Sequence, residues 1–203
     1  MTAWANRGMV RETPEGGSKM RWMILLCLIV PAPVAALEIC DDLWFTRNLV
    51  FHRAGHCFGS VLGKAVFGDE GCNKDGGAPD KDALALIERV RGLEAEFNCD
   101  VDTTQDFLAV PVFEQRKDLI DLPFPSEIES ACVGWKGGRL ALRKAHKDGA
   151  ELLGAVRDGD TLLFQYQDVG DWMFVEVQQN GIPAGMGWAK PEISKENCEM
   201  VAG

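Results

Sequence analysis

The chain has 203 residues, 46% of them hydrophobic, which is enough for one ordinary domain or two small ones, and it carries a formal charge of −10 at pH 7. So acidic a chain lacks the Lys and Arg clusters that neutralise phosphates, which argues against nucleic acid as a partner. Its apolar run Trp22–Val30 is nine residues long, short of the roughly 20 that a membrane-spanning helix needs.

That run belongs to a recognisable layout. Residues 1–19 are polar and patternless, and Met20 offers a second start that would make them an extension. Lys19 and Arg21 lead into the apolar core, and "PAPVAA" closes it with small residues. This is the order of a secretory signal peptide over residues 1–36, with cleavage expected after Ala36 and with Val34 and Ala36 at the small-residue positions. Cleavage removes Arg7, Arg11, Lys19 and Arg21 with Glu12 and Glu15, taking the formal charge from −10 to −12. Cys27 lacks the small preceding residue of a lipidation signal. The expectation is a periplasmic or secreted protein with no membrane span in its mature form.

Cysteine usage agrees with export. Beyond Cys27, the six cysteines Cys40, Cys57, Cys72, Cys99, Cys132 and Cys198 make an even set for an oxidising compartment. Spacing alone does not choose among the pairings. The expected set is Cys57–Cys72, Cys40–Cys99 and Cys132–Cys198, which nests a short loop in the first half and clamps the ends of the second. Each bridge is worth roughly 2–4 kcal/mol. No C-x-x-C spacing points to a zinc ribbon or a redox motif.

Along the expected mature chain, residues 37–102 read as a small helical, disulfide-bonded domain. Asp41 and Asp42 suit the N-cap and first turn of a helix with Leu43, Trp44, Arg47, Val50, Phe51 and Ala54 at helical spacing, and Gly55 ends it. The glycines and charges of "GKAVFGDEGCNKDGGAPD" predict a loop. Asp80 then caps a second helix whose apolar stripe is Leu84, Ile87, Val90, Leu93 and Phe97. Residues 103–131 form a connecting segment that opens on the strand-like "FLAVPVF". Residues 132–203 change period: "GRLALRK", "ELLGAVRDGDTLLFQYQ", "DWMFVEVQQ" and "MGWAKPEI" are short strand-forming runs between turn signals, the pattern of a small all-β barrel or sandwich. The fold class expected is α+β.

Two resemblances attach to these residues. Leu140–Arg143, Gly159-Asp160, Gly170-Asp171-Trp172 and Gly187-Trp188-Ala189 resemble the strands and turns of a bacterial SH3-like domain over residues 133–193, with a longer "QQNGIPAGM" excursion before the last strand. Leu43, Trp44, Arg47-Asn48, Phe51, Arg53, Gly55 and Cys57-Phe58 resemble the signature of the YARHG-type domain of exported bacterial proteins over about residues 38–102. Phe51 stands for the name-giving tyrosine and Ala54 for the histidine. The resemblance implies a cell-envelope protein, and the family's role is unknown.

Three chemistries compete for the site. His52 and His56 lie four apart, as in the zinc helix H-E-x-x-H, but Arg53 occupies the position of the general-base glutamate, so protease chemistry is excluded. A metal site at His52 and His56 without that base, with a third ligand from His146, Asp69 or Glu70, is the alternative, as is a Cys–His hydrolase, which needs a free thiol. The acidic pairs Asp41-Asp42, Asp69-Glu70 and Asp100/Asp102 lack the spacing of a calcium loop. Binding is better motivated. Alternation along "WMFVEV" turns Met173, Val175 and Val177 to one face and Trp172, Phe174 and Glu176 to the other, where Tyr166 and Trp188 would join them. Those rings either form a groove for a peptide or wall fragment or pack on the first domain and the Pro-rich segment, and burial needs favour the second. The reading is an exported, non-catalytic binding or scaffolding protein of the cell envelope without a cofactor, its partner an envelope protein, a peptide or a peptidoglycan fragment. A small envelope hydrolase or metal-binding protein using His52 and His56 is the alternative.

Overall fold

The computed structural model describes residues 39–73 and 76–203. The expected signal peptide, its cleavage point after Ala36 and the extension over 1–19 lie outside the described residues.

Residues Ile39–Arg53 form α1, a helix buried on nearly every side: Leu43, Trp44, Phe45, Leu49 and Val50 are inside, and so are the polar Asp42, Thr46 and Asn48. A helix that is apolar on more than one face has to be covered on more than one face. One cover is α3 (Lys81–Glu96), which buries Ile87 and Val90. Another is α2 (Val61–Phe67) with Leu108 and Val110, which share a core cluster with Trp44, Phe45 and Leu49. Asp80 caps α3 as its position predicts, its Oδ1 accepting from the Ala83 N–H at 2.8 Å. Only the middle of the α3 stripe is buried, since Leu84 and Phe97 remain 47% and 40% exposed.

Several local expectations are corrected. Part of the expected first loop is α2, started by Ser60, whose hydroxyl accepts from the Gly63 N–H at 3.1 Å. At seven residues it is too short to show a period. Asp41 and Asp42 do lie in the first turn of α1, one of the two places expected for them, but both also have tertiary partners. Asp41 Oδ2 accepts from Ala109 N at 2.7 Å, and Asp42 is engaged elsewhere in the core. Arg47 reaches Glu94 on α3 through contacts of 2.9 and 3.0 Å, while Asn48 donates to the carbonyl of Trp44. "FLAVPVF" is not a strand, because no neighbouring strand pairs with it among the described residues. It leads through Val112, held in the left-handed region at φ 42°, into the short helix α4 (Phe113–Lys117).

Seven strands follow: β1 (Pro125–Trp135), β2 (Leu140–Arg143), β3 (Leu152–Val156), β4 (Thr161–Tyr166), β5 (Met173–Gln179), β6 (Ile182–Ala189) and β7 (Cys198–Ala202). They form one antiparallel sheet in the order β3-β2-β6-β5-β4-β1-β7. The sheet is open, which corrects the expected closed SH3-like barrel. One of its faces is covered by Val112, Leu119 and Leu122 from the segment around α4. Strand β1 also runs across the boundary expected at residues 131 and 132. The excursion "QQNGIPAGM" is the β5–β6 hairpin, turned by Asn180 and Gly181 with φ of 53° and 77°, the geometry a two-residue hairpin loop requires. At Gly187, φ is 153° and a Cβ would meet Leu142 Cβ at 2.9 Å, so the backbones of β6 and β2 approach too closely for a side chain.

Each sheet face has its own core. Cys132, Trp135, Leu142, Val156, Leu162, Val175 and Val177 pack on one. Tyr166, Phe174, Met186 and Trp188 pack on the other with Leu119. The disulfides are Cys40–Cys99, Cys57–Cys72 and Cys132–Cys198. The first ties the start of α1 to the end of α3, and the last ties β1 to β7.

The helices do not form a domain of their own. The described residues fall within a single compact unit, and a buried polar network joins its elements. Arg116 of α4 is fully buried and forms an ion pair with Asp42 of α1, also fully buried. It donates to Thr46 Oγ1 at 3.2 Å and to the Tyr166 hydroxyl at 3.4 Å, with its guanidinium 5.1 Å from the Phe45 ring centre. The Tyr166 hydroxyl donates in turn to Glu176 Oε1 at 2.9 Å. One cation thus connects α1, α4, β4 and β5. Removing one partner of a buried pair strands the other charge, which costs about 3–5 kcal/mol, whereas replacing the pair with apolar side chains is often neutral. Arg116→Leu is therefore expected to lower stability by that amount in urea denaturation, and Asp42→Leu combined with Arg116→Met to recover more than half of the loss. A double variant no more stable than the single one would show that the pair is not the source.

Candidate functional site

The last turn of α1 ends at Arg53, and Gly55 (φ 85°) turns the chain away. The first turn of α3 faces that end, and the stretch Ile120–Leu122 lies below it. Between them is a cleft of about 700 Å³ lined by Val50, Ala54, Leu86, Ile120 and Leu122 among its apolar residues and by Arg53, Asp80, Asp82, Asp121 and His146 among its polar ones.

Each polar group is placed by a local cause. The Arg53 side chain donates to the carbonyls of Lys117 (3.2 Å), Ile120 (3.5 Å) and Leu119, tying the end of α1 to the chain that leaves α4. Burial lowers its pKa, and Asp121 opposes that shift. Ile120 and Asp121 donate their N–H groups to the Lys144 carbonyl at 2.8 and 3.2 Å, which fixes the floor of the cleft to the sheet. Asp121 Oδ2 accepts from the His146 N–H at 3.1 Å and lies 2.8 Å from His146 Nδ1. That second contact falls outside hydrogen-bond geometry. Trp188 Nε1 donates to the Asp121 carbonyl at 2.8 Å, and the His146 ring stands edge-on to Trp188 at 5.1 Å. These contacts make a rigid, mostly apolar recess with carboxylates at its side and an Asp–His pair at its floor.

The aromatic residues expected to form a groove lie elsewhere. Phe174 and Trp188 are 1% exposed and Tyr166 is 4% exposed, all covered by Leu119 and its neighbours. Only Trp172 is partly open, with Lys190 Nζ 4.5 Å from its ring centre. Alternation placed these side chains on one face correctly, but that face is an internal contact. Tyr166 holds its hydroxyl in the Arg116 network, where burial raises its pKa well above the usual value.

His52 and His56 do not share a helix face, since α1 ends between them. His52 stacks on Phe67 at 5.1 Å, and His56 stands edge-on to Phe58 at 5.0 Å. Burial lowers the His52 pKa, with Lys117 and Arg53 adding to the effect. Among the described residues, no group of three or more His, Cys, Asp or Glu is arranged to hold a metal ion. Cys57, the thiol a Cys–His hydrolase would use, is bridged to Cys72. Asp102 closes a turn by accepting from the N–H and hydroxyl of Thr104 at 2.9 and 2.6 Å. Of the cleft residues, only His146 entered the sequence reading as a ligand. Leu86, Ile120, Asp121 and Leu122 carry no motif, and only their convergence in space marks them.

The fold and the cleft define a disulfide-stapled α+β protein in which helices and sheet pack together. Residues 98–203 match the family described as Domain of unknown function (DUF4453), and the chain belongs to it. Residues 28–88 match the YARHG domain. No curated protein and no solved structure matches the chain. The two matched segments meet at several places, among them the Cys40–Cys99 bridge, the Asp42–Arg116 pair and the cleft, where Val50 and Leu86 line the same recess as Ile120 and His146.

Glu176 gives the buried network a pH signature. Burial raises its pKa from the ordinary 4.5, with Arg116 and the Tyr166 hydrogen bond pulling the other way. An acid with a raised folded pKa binds more protons folded than unfolded, so stability falls as pH rises from about 4.5 to the raised value. Glu176→Gln should abolish that fall in thermal melts taken from pH 4 upward, while Glu192→Gln, at an exposed site, should leave it in place. Identical pH profiles for wild type and Glu176→Gln would refute the assignment.

Proposed function

We propose that the protein is an exported, non-catalytic binding protein of the bacterial cell envelope, periplasmic or secreted, which holds a peptide, a wall fragment or a segment of another envelope protein in the cleft beside Arg53 and His146. The cleft carries the reading: it has the volume of a ligand site, a largely apolar lining and a few fixed polar groups. The three disulfides support export, because such bonds persist in oxidising compartments. Removal of a signal peptide after Ala36 belongs to the same reading. So does an SH3-like ancestry for residues 133–193, supported by the strand positions of Leu140–Arg143 and Gly187–Ala189 in a sheet that stays open.

The test is equilibrium binding of the mature chain to purified sacculi, soluble muropeptides and a synthetic peptide array, with Leu86→Glu as the cleft variant. Saturable binding to one of these is expected, weakened by about tenfold or more in Leu86→Glu with the thermal midpoint nearly unchanged. Binding to none of them sinks the proposal. So does mass spectrometry showing that the ligand is cleaved during incubation, which would restore the hydrolase alternative.

A further inference from the structure

The charges lining the cleft are not equally available. Arg53 directs its donors at the carbonyls of Lys117, Leu119 and Ile120 and faces Asp121, so its cation is already surrounded by oxygen. Asp121 is occupied by the N–H and the ring of His146. Asp80 uses Oδ1 to cap α3, and Asp82 makes no hydrogen bond or ion pair among the described residues. A helix N-terminus brings roughly half a positive charge, which two carboxylates outweigh, so the α3 side of the cleft is net negative. The apolar side chains Leu86, further along α3, and Ile120 and Leu122 of the floor line the same cleft.

Resting on the reading that the cleft binds a ligand, we infer that its occupant is a cationic peptide segment, with an apolar side chain between Leu86 and Ile120 and an ammonium or guanidinium group against Asp80 and Asp82. Charge complementarity selects this occupant. A glycan strand has no cation to offer the two carboxylates, and an anionic ligand would be repelled by them. The apolar lining in turn requires more than a free metal ion or a simple amine.

The experiment uses the mature chain and two labelled peptides of about 12 residues, long enough to cross the cleft at about 3.3 Å per residue. They have equal leucine content, with lysine in one at the positions where the other has glutamate. Fluorescence anisotropy is read at low and at physiological salt. The lysine peptide should bind at least about tenfold more tightly and weaken as salt rises, as partly exposed charge pairs do. Asp80→Asn with Asp82→Asn should erase that preference while keeping the fold, since Asn caps a helix as well as Asp does. Asp168→Asn with Asp171→Asn removes equal charge from an exposed turn and should change nothing. Equal loss in that control would overturn the inference, because it would trace binding to the overall acidity of the chain. Equal binding of the two peptides, if still sensitive to Leu86→Glu, overturns the inference and leaves the binding reading intact. Binding of neither peptide overturns the inference, and the sacculus, muropeptide and array titrations then decide the binding reading separately.

Discussion

The structure depends on a guanidinium that has no access to water. Arg116 is fully buried, and its charge is met by Asp42, Thr46 and the Tyr166 hydroxyl, which come from a helix at one end of the chain and a strand far along it. A charge in such a place is tolerated only when its partners are held at fixed positions. The helices and the sheet therefore settle in one mutual arrangement, even though hydrophobic burial alone would accept several. Among the described residues, Asp42 Oδ2 and Arg116 Nε have no hydrogen-bond partner, so the network is not saturated there.

The cleft follows from that arrangement. Arg116 sets where α4 sits against α1, and Arg53 then gathers the carbonyls of the chain leaving α4, which brings Ile120 and Leu122 beneath the first turn of α3. From the sheet side, Lys144 and Trp188 hold Asp121 and its neighbour. The recess is thus framed by backbone contacts from three directions. Its shape is a property of the joined helices and sheet, and neither the YARHG segment nor the DUF4453 segment contains it alone.

Much of the local structure was legible. Asp80 before a 3.6-residue stripe marked α3, Gly55 marked the end of α1, and turn residues between alternating runs marked β2 to β6. The nested cysteine pairing rests on loop length, and the observed bridges follow it. Alternation along Trp172–Val177 also assigned side chains to the right faces. Less legible were α2 and α4, whose seven and five residues hold too few turns for a period to appear, and β7, whose "CEMVA" is exposed beyond its cysteine. The acidic pair at Asp41-Asp42 marked the first turn of α1 but not its partners in the core, because helix-start and ion-pairing roles demand the same residue type. Only the burial of Arg116 beside it separates the two roles.

The sequence by itself determined the α+β class, the cysteine set, the elements long enough to show a period and the faces of the strands, because these depend on residues near one another in the chain. The tertiary structure decided that the sheet stays open, that Tyr166, Phe174 and Trp188 are internal, and that Val50, Leu86, Ile120 and His146 enclose a cleft. The reason is physical: an aromatic face is equally favourable against a ligand or against the protein's own chain, and nothing in its local pattern encodes the cover. The buried cation at Arg116 settles the choice by drawing the segment around Leu119 onto the sheet.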